Sequence, residues 1–177
     1  MNVLIYARGI DMLPDDMKLF FCADNIKTLE SVFKSYLVLH ESIPDAVVDV
    51  EISLSFLTKD DIAKVNADYR MINEPTDVLS FPMWESENAD FSPPDDWDIL
   101  PLGDILLCPE IIERNAIDNS KKFKEELILV ISHGFLHLIG YDHAADDARD
   151  IMWGKQDALV EDFFRGITAS TEVNDGK

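Results

Sequence analysis

The stretch HGFLHLIGYDH, residues 133–143, holds three of the chain's four histidines. His133 and His137 are four residues apart and therefore share one face of a helix. Gly140 lets the backbone turn sharply, which can bring His143 back toward that pair. Three neutral imidazoles at ~2.0–2.1 Å would hold one Zn²⁺ per chain and leave a coordination position open for water. Such an ion acts as a Lewis acid toward a carbonyl or phosphoryl oxygen. Another divalent transition metal such as Ni²⁺ suits the same ligands. The alternative is a set of ordinary helix and turn histidines. Leu136, Leu138 and Ile139 mark the segment as buried, however, and unpaired imidazoles in a core are costly. A metal site is the expectation. His40, the fourth histidine, ends an unrelated helix and reads as a surface residue.

The spacing also matches the metzincin peptidase pattern H-E-x-x-H-x-x-G-x-x-H except at one position. Gly134 stands where those enzymes place a glutamate base, and glycine cannot take a proton. Asp142 is a candidate base, or a residue that orients an imidazole or caps the turn.

The elements that must position these residues are legible in outline. NVLIYARG reads as a strand, and DNIKTLESVFKSYLVLH as a helix with Asp24 near its start. VVDVEISLSFL alternates as a strand does. Thr58 is placed to cap the helix TKDDIAKVNADYR, with Asp61 three positions on. TDVLSFPM and GDILLC are further strands. Pro109 opens the helix PEIIERNAID at a position that tolerates proline. Ser120 is the expected cap of KKFKEELILVISHGFLHLI, which Gly140 closes. DDARDIMWGKQDALVEDFF forms a last helix. The predicted architecture is one α+β domain over residues 1–167, a small mixed sheet of about four strands with about five or six helices around it. A flexible acidic tail is expected over residues 168–177.

The chain has 177 residues, 47% of them hydrophobic, enough for a real core. Cys22 and Cys108 sit singly in apolar surroundings and read as free buried thiols, which suits a reducing compartment. MNVLIYARGIDML lacks the features of an export signal, and no apolar run approaches the ~20 residues of a membrane span. The expectation is a cytoplasmic protein without a membrane partner. A formal net charge of −20 disfavours unaided attraction to nucleic acid. Residues 85–98 are dense in acids and carry Pro93-Pro94, an exposed loop that would repel a polynucleotide if it flanked a cleft. KKFK at 121–124 and Arg70 are the candidates for a local basic groove.

Together the motifs resemble the YbeY family. HGFLHLIGYDH is similar to the family's H-G-x-L-H-L-x-G-Y-D-H along its whole length. VNADYRMINEPTDVLSFP resembles N-x-x-Y-R-x-x-x-x-P-T-D-V-L-S-F-P, and LGDILLCPE resembles the family's strand L-G-D-I and the helix start after it. The resemblance runs from about Val48 to Phe163, while the first 45 residues match only in general layout. It implies a metal-dependent endoribonuclease that cleaves single-stranded RNA, in maturation of the 16S ribosomal RNA 3′ end and ribosome quality control. The implied site is a zinc centre of His133, His137 and His143 with Arg70 in the same cleft. The implied partners are ribosomal RNA and the ribosome or its proteins, not DNA.

Arg70 makes sense in that role on its own chemistry, since a guanidinium offers a rigid, permanently charged fork to phosphate oxygens. The alternative is an ion pair with a nearby carboxylate. Thr76, Asp77 and Ser80 are expected to hold the Arg70 loop through hydrogen bonds rather than to act on substrate. Two other functional readings stay open: a non-catalytic ribosome-assembly factor stabilised by its metal, and a metzincin-like metallopeptidase.

Overall fold

The computed structural model describes residues 1–40, 43–84, 91–142 and 146–174. Four strands form one mixed sheet: β1 (Asn2–Arg8), β2 (Asp49–Phe56), β3 (Val78–Pro82) and β4 (Ile99–Leu107), in the order β1-β2-β4-β3. β1, β2 and β4 run parallel, and β3 pairs antiparallel with β4 along the outer edge. The helices described are α1 (Asp15–Phe20), α2 (Ala23–His40), α3 (Lys59–Arg70), α4 (Pro109–Asp118), α5 (Phe123–Leu138) and α6 (Asp146–Asn174). Among the described residues, the predicted α+β class, strand number and helix number all match.

The alternation read from VVDVEISLSFL is the reason β2 sits where it does. Val50, Ile52, Leu54 and Phe56 are buried on one face, while Glu51, Ser53 and Ser55 stay partly exposed on the other. The main core lies on the first face, where α2 packs on β1, α5 packs on β3 and β4, and α6 packs on both helices. α5 is apolar nearly all round, and Leu127, Ile131, Phe135 and Leu138 are buried along it, as a central helix requires. Phe33 and Phe135 stack at 4.0 Å between ring centroids, joining α2 to α5. A smaller cluster of Ile62, Leu79, Cys108 and Ile111 sits under α3 and α4 on the other face.

Thr58 caps α3 as expected: its hydroxyl accepts the Asp61 N–H at 3.2 Å and donates to the Asp61 carboxylate at 2.8 Å. Pro109 occupies the first turn of α4. Ser120 is not the cap of α5. It adopts φ 55° in the turn that ends α4, and α5 starts at Phe123, where the Glu125 carboxylate accepts the Lys122 N–H at 3.1 Å. Of the two cysteines expected to be buried, Cys108 is buried and Cys22 is exposed at the entry to α2. The helix α6 continues to Asn174, through most of the stretch read as a loose tail. Of the acidic segment 85–98, residues 85–90 lie outside the described residues. Trp84, just before them, donates its indole N–H to the Pro101 carbonyl at 2.5 Å and meets Trp97 edge-on at 5.0 Å. Among the described residues no helix is long and apolar enough to cross a membrane.

Candidate active site

His133 and His137 lie one helical turn apart on α5, and their Nε2 atoms face each other at 3.1 Å. The rings meet nearly edge-on, with centroids 4.7 Å apart and planes at 80°. His133 Nδ1 is 3.0 Å from the Gln156 side-chain oxygen on α6. An amide oxygen only accepts, so the His133 Nδ1 carries the proton and its Nε2 lone pair points toward His137. Gln156 is 7% exposed, so this orientation is fixed by a buried contact. The chemistry fits a metal: two ligand nitrogens of a tetrahedral ion at ~2.0–2.1 Å stand roughly 3.4 Å apart, and ligand imidazoles usually donate their second N–H to an oxygen. His143, the third expected ligand, lies outside the described residues. Among the described residues no group of three or more His, Cys, Asp or Glu could hold an ion.

Gly134 has a packing role. A Cβ placed there would come within 2.8 Å of Ile105 Cγ2 on β4 and 3.1 Å of Ser80 Oγ on β3. The helix that carries both histidines therefore rests directly on the sheet, and a glutamate could not occupy the position without pushing it away. Gly140, at φ 87°, makes the left-handed turn that ends this segment.

Arg70 is the last residue of α3. Met71 terminates the helix in the left-handed region at φ 59°, its N–H bonding back to the Ala67 carbonyl at 3.1 Å. Asn66, 4% exposed, donates to the Glu74 carbonyl at 2.8 Å and so ties α3 to the loop that follows. Asp77 anchors the far end of that loop. Its carboxylate accepts the Val78 N–H at 2.9 Å, the Thr76 hydroxyl at 3.1 Å and the Asn115 amide on α4 at 3.1 Å.

Arg70, Ser80, Pro82, His137, Tyr141 and Asp142 line one cavity of about 300 Å³. The structure thus brings Arg70 and His137 together across the end of β3. Asp142 is exposed at the rim beside Tyr141. A larger, more open groove of about 1060 Å³ between α2 and α6 is lined by neither Arg70 nor a histidine. The KKFK run does not flank the cavity. Lys124 lies at the start of α5, roughly 20 Å along the helix from His137, with its ammonium over the rings of Phe20 and Phe164. Lys121 pairs with the buried Glu126 at 3.4 Å. His40 is exposed at the end of α2, as expected. The residue missed by sequence reasoning is Gln156. Its only signal was a polar side chain on the buried stripe of α6 that includes Met152, Leu159 and Phe163.

Residues 21–164 match the family described as Endoribonuclease YbeY. The chain is 39% identical over 123 residues to an endoribonuclease YbeY of Shouchella clausii, spanning 68% of this chain and 76% of that protein. It is 35% identical over 143 residues to one from a Thermoanaerobacter species, spanning 78% and 87%. Among solved structures, the solution structure of TM1509 from Thermotoga maritima superposes with a TM-score of 0.58 at 29% identity, covering 95% of this chain and 93% of the other. With Arg70 and His137 on one cleft, His133 paired to His137, and a match over most of its length, the chain belongs to the YbeY family of endoribonucleases.

Proposed function

We propose that the cleft between α5 and β3 cleaves phosphodiester bonds in single-stranded RNA, with ribosomal RNA precursors, including the 16S 3′ end, and defective ribosomes as targets. The observation that carries the reading is the Nε2 pair of His133 and His137, 3.1 Å apart, with Arg70 lining the same cavity as His137. His133, His137 and His143 would hold a divalent transition metal, zinc first and nickel as the alternative. Bound there, the cation supplies Lewis acidity to activate water and polarise a phosphoryl oxygen. Gln156 holds His133 in the tautomer that presents Nε2. Arg70 binds the scissile phosphate and stabilises charge growing on its oxygens. Asn66 and Asp77 keep the Arg70 loop in place. A cytoplasmic setting with the ribosome as partner completes the reading, since delivery of RNA by a ribosomal surface would offset the repulsion expected from a net charge of −20.

Gly134 counts against a peptidase, because the position that would supply a general base is filled by helix–sheet packing. Incubating purified, metal-loaded protein with single-stranded RNA, structured RNA and casein tests the reading. Cleavage confined to single-stranded RNA and lost in Arg70→Glu is expected. Casein cleavage, or RNA cleavage that persists in Arg70→Glu, contradicts it.

A further inference from the structure

Arg70 is flanked by exposed apolar residues. Tyr69 is 71% exposed, Met71 85% and Ile72 50%. Among the described residues, most of this apolar surface around one cation is left uncovered. Tyr69 is nevertheless held in place, because its ring meets Phe81 at 4.8 Å between centroids with planes at 69°. Phe81 lies on β3 between Ser80 and Pro82, which line the cavity. Successive strand residues face opposite ways, so Tyr69 stands on the far side of the edge strand from the histidines. Arg70 spans from that side to the cavity. A strand of nucleotides bound at Arg70 and passing over the edge of the sheet therefore meets the Tyr69 ring next.

A source of affinity other than phosphate attraction also suits the charge of this chain. The lysines of KKFK are at the wrong end of α5, and the chain carries a net charge of −20. Phosphate attraction alone is a weak source of affinity here. Unpaired bases stack on fixed aromatic rings whatever their sequence, whereas bases inside a duplex are not free to do so.

Resting on the RNA-cleaving reading above, we infer that Tyr69, braced by Phe81, is a stacking platform for an unpaired base next to the phosphate bound by Arg70. The platform is a specificity determinant that selects single strands. It acts in binding and leaves the chemical step to the cavity.

The test is steady-state cleavage of a fluorescein-labelled oligoadenylate by the metal-loaded full chain, with a base-free ribose-phosphate strand of equal length as competitor. Tyr69→Ala is expected to raise KM by about tenfold to a hundredfold with kcat changed less than about threefold. Tyr69→Phe should keep the parental KM, and the base-free strand should inhibit parent and Tyr69→Ala equally. An unchanged KM in Tyr69→Ala, a loss not rescued by phenylalanine, or a matching loss of affinity for the base-free strand overturns the platform while leaving the nuclease reading intact. Failure of the parent chain to cleave any RNA overturns both.

Discussion

Gln156 on α6 accepts the ring N–H of His133 on α5 at 3.0 Å, and through that contact the last helix sets which nitrogen of the imidazole faces His137. Partners of this kind typically change metal affinity or activity by about tenfold to a hundredfold when removed. Gln156→Leu should weaken Zn²⁺ binding by about that factor, while Gln156→Glu, which keeps an acceptor, should retain it. Competition with a chelating dye measures both. Equal affinity in the leucine variant would show that the contact does not orient the ligand.

Gly134→Ala should destabilise the fold. Alanine is the better helix former by about 1 kcal/mol, but its Cβ would press on Ile105 at 2.8 Å. Overpacking of this sort costs about 1–3 kcal/mol. A lowered Tm is expected, with weaker metal binding as α5 shifts, and Gly134→Glu should be worse on both counts without creating peptidase activity. A raised Tm in Gly134→Ala would mean that the helix has room to move.

Much of this was visible in the residues themselves. The shared face of His133 and His137, the Thr58 cap with Asp61, the helix start at Pro109 and the turn at Gly140 depend on neighbours within a few positions, and all appear as expected. Gln156 was not visible, because it meets His133 across two helices that are distant in sequence. Gly134 read as a missing base, since the closeness of Ile105 and Ser80 arises only when β3 and β4 come together beneath α5. Ser120 failed as a cap because the turn ending α4 draws it into the left-handed region. KKFK looked like a groove until the length of α5 separated it from His137.

Asp77→Ala removes an acceptor shared by Val78, Thr76 and Asn115. Leaving those donors without it should cost about 1–3 kcal/mol. The loop after α3 would loosen, so cleavage should fall although Arg70 is unchanged. Chemical denaturation and a cleavage assay check the two effects, and intact stability would remove Asp77 from the support of the site.

The two thiols should differ in reactivity. Cys22 is exposed and Cys108 fully buried, and burial pushes the Cys108 thiol above its ordinary pKa. A thiol reagent should titrate one group in the native protein and the second only on unfolding. Because the folded pKa is raised, the contribution of Cys108 to stability is complete below the unfolded value of about 8.5 and is lost as pH rises from there through the higher folded value. Rapid labelling of both thiols in native protein would contradict the burial.

Replacing Arg70, exposed at the end of α3, should change stability by less than about 0.5 kcal/mol. Losing a donor that stabilises developing charge costs about 10²–10³ in kcat, so Arg70→Glu should be folded, metal-bound and nearly inactive. Equal losses of metal and activity would mean that Arg70 supports the site's structure instead of the phosphate.

The most direct test is a titration of chelator-stripped protein with Zn²⁺ while cleavage of single-stranded RNA is followed. Activity should rise from zero and level off at one equivalent, and His133→Ala should stay inactive throughout. Full cleavage by the stripped protein, or an active His133→Ala variant, would show that the paired imidazoles are not a metal site for RNA cleavage.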